Sequence, residues 1–226
     1  MILQWRGCLP VAAAILAMSA ACNRPGDGTA TSRVMGDIDV AAGQHTGDVS
    51  TVNGSIRIRE NAVVATAHTV NGSISLDSQA TAAELKTVNG RIRLGQGARV
   101  SGEVHTVNGG LSLADGAEVN GQLQNVNGPI RVAAAHVGGG VDTVSGGIEL
   151  GPDAHVDGGI HVRKETGVSF HLFSEGMPHI VVGPRSVVTG ALNFERPVKL
   201  YVSDQATIGP VQGATVAKFS GERPPD

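Results

Sequence analysis

Histidine has the widest scope for chemistry in this sequence, and several of its eight copies fall at a regular step. His136 and His155 occupy identical Ala-His-Val triplets 19 residues apart, and Asp142 and His161 are separated by the same step. His68 and His105 lie two steps apart, with Lys86 at the intervening position. If residues one step apart stack at the interstrand distance of about 4.8 Å, each adjacent pair could bind a divalent ion weakly or titrate as a unit. Zinc asks for three or four protein ligands around one point. The two adjacent pairs are offset by six residues along the chain, an extended path of roughly 20 Å, so they do not converge. The expectation is exposed polar columns with no metal and no cofactor. Arg131 and Glu149, 18 residues apart, read as an exposed ion pair contributing about 0–1 kcal/mol. No Gly-x-Ser-x-Gly nucleophile pattern occurs, and the regular part of the chain shows no cluster of carboxylates of the kind polysaccharide cleavage requires.

The amino terminus carries a different kind of chemistry. Arg6, the apolar run Leu9 to Ala17 and the small residues Ser19-Ala20-Ala21 form a secretory signal over residues 1–21. Pro10 and the shortness of the run argue against a membrane-spanning helix. Met18-Ser19-Ala20-Ala21-Cys22 resembles the lipobox of bacterial lipoproteins, with Ser19 where an aliphatic residue is usual. The resemblance implies lipidation of Cys22 and attachment to a membrane through that lipid, each buried CH2 contributing about 0.8 kcal/mol. With Cys8 inside the signal, the exported chain keeps one cysteine and no internal disulfide. Asn23 in place of Asp favours an outer-membrane location within the cell envelope. Residues 22–33 read as anchor and flexible linker. Net charge is -3 with no basic stripe, which leaves nucleic-acid binding without electrostatic support.

These residues must be positioned by a repeat. Thr-Val-Asn-Gly-Ser-Ile-Ser-Leu at 69–76 returns every 18 or 19 residues, with unit glycines Gly54, Gly72, Gly90, Gly109, Gly128 and Gly146. Each period divides into three short segments: the strand after Val-Asn-Gly, an Ala-x-Val segment, and a segment entered through a small residue. Apolar and polar residues alternate with the period of two that a half-buried strand needs. Gly is 32 of 226 residues and aromatics only 3%, so aliphatics must build the core. The fold expected is all-β: a single-stranded parallel β-helix of nine or ten coils over residues 34–220. Identical positions then stack into buried ladders, one of Val52, Val70, Val88, Val107, Val126 and Val144, another of Ile56, Ile74, Ile92, Leu111, Ile130 and Ile148. Asn-Gly reads as a turn whose glycine takes positive φ. Asn53, Asn71, Asn89, Asn108 and Asn127 form a structural amide ladder that Ser145 ends.

The period breaks at residues 163–180, where Phe170, His171 and Phe173 introduce aromatics. This irregular insertion either folds over the core or contacts a partner. The tail 221–226 is expected to be disordered. Open solenoid ends expose strand edges, which allows self-association.

The Thr-Val-Asn-Gly-x-Ile-x-Leu copies resemble the adhesin-type β-helix repeats of bacterial envelope proteins, a domain class without an assigned reaction. The resemblance covers Val34 to Val162 and implies a right-handed solenoid at the cell envelope. Val100-Ser101-Gly102-Glu103-Val104 is also similar to bactofilins, polymer-forming β-helices that usually lack such a signal. Positions such as Val52, Ile58, Val64 and Val70 are six apart, as in left-handed hexapeptide acyltransferases. Ile56, Ile74 and Ile92 are too bulky for those turns, and the 19-residue coils break the hexad. The function expected is non-enzymatic: an adhesin-like or scaffold surface whose partner is an envelope protein or polysaccharide. The alternatives are a self-assembling scaffold and an enzyme acting on envelope polysaccharide.

Overall fold

A computed structural model describes residues 30–164 and 177–224 of the chain. The described residues contain no helix, and every strand pairing between them is parallel. A ten-stranded sheet takes one short strand from each coil, from Ile38–Val40 to Val216–Phe219, which gives a solenoid of about ten turns. A wider, 17-stranded sheet holds the other two segments of each coil.

Register follows the sequence step. Ile38, Ile56, Ile74, Ile92, Leu111, Ile130, Ile148, Ile180, Leu200 and Val216 pair in turn along the narrow sheet. Most are fully buried, and burying each such side chain stabilises the fold by about 1.5–3 kcal/mol. The step from Ile148 to Ile180 spans the irregular insertion, yet the register resumes unchanged.

Three features differ from the sequence reading. First, the ladder of Val52, Val70, Val88, Val107, Val126 and Val144 is only half-buried, whereas its neighbours Thr51, Thr69, Thr87 and Thr106 face the interior. Alternation fixes the phase: Val49 and Thr51 share the inner face of Val49–Asn53, so Val52 points outward. A buried hydroxyl is tolerated because it is hydrogen-bonded. Thr69 Oγ1 donates to the Gly54 carbonyl and Thr87 Oγ1 to the Gly72 carbonyl, both at 2.9 Å.

Second, of the six unit glycines only Gly128 lies at positive φ, 124°; Gly54, Gly72, Gly90, Gly109 and Gly146 do not. Glycine is required there by close approach, since a Cβ on Gly72 would stand 1.8 Å from the Gly54 carbonyl oxygen. Positive φ recurs at another corner, just before the buried alanine, at Asn61, Gln79, Gly97, Gly116 and Asp153. Third, the first strand, Thr31–Met35, begins inside the stretch read as linker.

The first change from 18 to 19 residues per coil has a local origin. Ala82 and Leu85 pair with Val100 and Val104, so the extra residue of the longer coil enters at the corner Ser101-Gly102-Glu103. Where that corner is Ala65-Thr66 or Ala83-Glu84, two segments fuse into nine-residue strands, Val63–Asn71 and Thr81–Asn89. Gly102 frees the chain to bend, and the strand divides into Arg99–Val100 and Val104–Asn108.

Candidate functional site

The outer face of the narrow sheet carries a column built by the same register. Arg57, Ser75, Arg93, Ser112 and Arg131 follow one another along the rod. Beside them, Asp37, Ser55, Ser73 and Arg91 are linked side chain to backbone. Asp37 Oδ1 accepts from the Ser55 N–H at 2.6 Å, Ser55 Oγ from Ser73 N–H at 3.4 Å, and Ser73 Oγ from Arg91 N–H at 3.3 Å. These columns border a shallow trough of about 770 Å³. Its two acids are engaged: Asp37 by the Ser55 amide, Asp39 by the bidentate Arg59 guanidinium at 2.6–3.2 Å. That Arg59 hydrogen bond holds the Asp39 carboxyl below its ordinary pKa. Arg57, Arg91 and Arg93 make no ion pair with a carboxylate among the described residues and are exposed. Arg57 and Arg93 are two strand steps apart, about 9.6 Å. Arg91 and Arg93 are two residues apart in the sequence, but Arg57 lies 34 residues before Arg91 and joins them only on stacking, so no basic stripe shows along the chain.

A second hollow, about 480 Å³, brings together Asp115, Glu149 and Asp153 with Arg131. Stacking places Arg131 against Glu149 at 3.3 Å, both side chains mostly exposed. Asp115 Oδ1 accepts from the Ala134 N–H, and Asp153 is held in a bidentate pair by Arg185 at 2.8 Å. The Arg185 hydrogen bond pulls the Asp153 pKa down. General acid catalysis of glycoside cleavage calls for a carboxyl raised toward neutrality. The four described carboxyls whose pKa departs clearly from the ordinary range, Asp39, Asp153, Asp157 and Glu195, all move down.

The histidine columns resolve into three situations. His68, Lys86 and His105 are consecutive rungs, and Lys86 pairs with Glu84. Burial, reinforced by the Lys86 charge, lowers the pKa of both histidines. Asp142 and His161 share a rung, but the Asp142 carboxylate belongs to Arg163, whose Nε donates at 2.8 and 2.9 Å. His161 Nε2 lies 3.1 Å from Glu195 instead. His136 and His155 are paired in register with ring centroids 5.3 Å apart. Their Nε2 atoms lie 2.9 and 2.8 Å from the two oxygens of Asp157. Asp157 has no place in the pairs read from the sequence, although His155-Val156-Asp157 puts residue and residue-plus-two on one face, which alternation alone would reveal.

The asparagine ladder is continuous. Nδ2 of Asn71, Asn89, Asn108 and Asn127 donates to Oδ1 of the preceding asparagine at 2.9–3.1 Å, starting at Asn53. Ser145 Oγ donates to Asn127 Oδ1 and closes the row. In this row the side-chain amides hydrogen-bond to one another, a structural use of the column. Cys22, Phe170, His171 and Phe173 lie outside the described residues; Arg163 and Lys164, just before the last three of these, are tied to Asp142 and Glu195. No helix among the described residues is long and apolar enough to cross a membrane. No protein-family model matches the chain, and neither curated proteins nor solved structures give a match.

Proposed function

We propose that this chain is a non-enzymatic β-solenoid of the cell envelope, exported and held to a membrane by a lipid on Cys22, which offers its narrow-sheet face to an extended anionic polymer, an envelope polysaccharide foremost. The observation that carries the binding role is the trough lined by Arg57, Arg91 and Arg93, whose own acids, Asp37 and Asp39, are already engaged. A flat row of guanidinium and hydroxyl groups at a fixed step suits a linear ligand with carboxylate or sulfate groups along its length, because arginine binds such groups bidentately. Support for export and anchoring comes from residues 1–22 and from the resemblance to adhesin-type envelope repeats. An enzymatic reading has less support, since Asp115, Glu149 and Asp153 are each committed to a donor.

The test is binding of the full chain to a polyuronate and to a neutral glucan of similar length. Arg57→Gln, Arg91→Gln and Arg93→Gln together should weaken polyuronate binding roughly tenfold or more, as expected for several lost charge-assisted contacts, and leave the melting temperature unchanged. The wild-type affinity should fall as salt rises. Equal binding by the triple variant, or equal binding of the neutral glucan, would overturn the proposal.

A further inference from the structure

We propose that His136, His155 and Asp157 form a binding site for one divalent transition-metal ion of the zinc class. The three residues come from adjacent coils, His136 from one and His155 with Asp157 from the next. Both strands are central in the wide sheet, so the backbone positions are fixed by pairing on each side, with Glu118 before His136 and Val187 after His155. Both imidazoles already turn Nε2 toward one carboxylate, at 2.9 and 2.8 Å. One ligand atom from each residue falls within a sphere of mutual distances no greater than 4.8 Å.

Zinc holds imidazole nitrogen and carboxylate oxygen at about 2.0–2.2 Å, so the ligand atoms of a tetrahedral site stand about 3.3 Å apart. Each Nε2 already lies 2.8–2.9 Å from a carboxylate oxygen, and the side chains, between 41% and 48% exposed, are free to rotate into that arrangement. The chemistry also fits: the two imidazoles are borderline nitrogen donors, which with one hard carboxylate suit Zn²⁺, Co²⁺, Ni²⁺ or Cu²⁺ rather than Ca²⁺ or Mg²⁺. On binding, each Nε2 presents its lone pair and the imidazole proton resides on Nδ1.

Neighbouring cations are otherwise occupied. Arg99 faces Glu118 at 3.6 Å and Arg185 holds Asp153. Asp157 makes no ion pair with Lys or Arg among the described residues. The superficially similar set Asp142, His161 and Glu195 lacks this freedom, because Arg163 claims Asp142 through both oxygens. The small Gly138, one coil before Asp157 at the same corner, lets His136 reach diagonally across to the carboxylate.

The experiment is calorimetric titration of the metal-free full chain with ZnCl₂, with metal content after dialysis measured by mass spectrometry. One Zn²⁺ per chain is expected, with affinity reduced roughly tenfold or more in His136→Gln, His155→Gln and Asp157→Asn and unchanged in His161→Gln. A visible absorption band of the Co²⁺-loaded wild type should vanish in Asp157→Asn. Circular dichroism of the metal-free variants shows whether each is folded, and Asp157→Asn, nearly isosteric, keeps the test informative if a histidine variant does not fold. Substoichiometric zinc in the wild type, or the same affinity in wild type and folded Asp157→Asn, would overturn the proposal.

Discussion

At the scale of single residues, glycine and threonine act as one device. The Gly54 and Gly72 carbonyls receive the hydroxyls of Thr69 and Thr87, while the next glycine in the column sits where any side chain would strike the same oxygen. The constraint is contact with backbone, which a rotamer change cannot relieve. Gly72→Ala should therefore destabilise the fold by about 3 kcal/mol or more, read from the midpoint of urea denaturation. The atoms nearest a Cβ at Gly97 belong to the movable Gln79 amide, so Gly97→Ala, at φ 65°, would be the costlier change only if strain in φ were the cause. Comparing the two variants separates the mechanisms.

Elements are held together by rungs, and their contributions depend on position in the row. Asn89 both donates to Asn71 and accepts from Asn108, whereas Asn53 at the start only accepts, from Asn71. Each exposed amide bond contributes on the order of 0.5–1.5 kcal/mol at most. Asn89→Ala should thus cost about twice as much as Asn53→Ala when both are measured by thermal melting. Equal costs would mean that the amides contribute nothing as a ladder and that the asparagine serves only its own turn. The corner Ser101-Gly102-Glu103 operates at the same scale: a single extra residue divides a nine-residue strand without disturbing the rungs on either side.

Across the whole molecule, stability is a sum of neighbour contacts along a rod, and its pH dependence is set by groups that stacking places together. His68 and His105 have folded pKa values below the ordinary 6.5, by burial first and Lys86 second. The unfolded chain therefore binds more protons than the folded one below that value, so stability is complete above about pH 6.5 and declines as the pH falls through it. Asp39, Asp153, Asp157 and Glu195 are also depressed, from ordinary values of 3.8 and 4.5. Their contribution is present above the unfolded pKa and is lost as the pH falls below it; exposure and salt keep it small. Melting temperature against pH should show a first decline beginning near 6.5 and a second below about 4.5. The double variant His68→Gln and His105→Gln should lose the first step and retain the second.

The sequence by itself determined the architecture. A step of 18 or 19 residues with Ile56, Ile74 and Ile92 at one phase can bury its aliphatics only by stacking coil on coil, so the parallel solenoid, its register and the asparagine row were legible before any coordinates. What periodicity leaves open is which of two alternating residues faces inward, and Thr69 rather than Val70 is the buried one because a carbonyl waits for its hydroxyl. The features with chemical potential depended on the third dimension. Alternation already puts Arg91 with Arg93 and His155 with Asp157 on one face, but that their side chains border one trough with Arg57, and that His136 reaches across a coil to Asp157, depends on side-chain directions that a linear spacing does not encode.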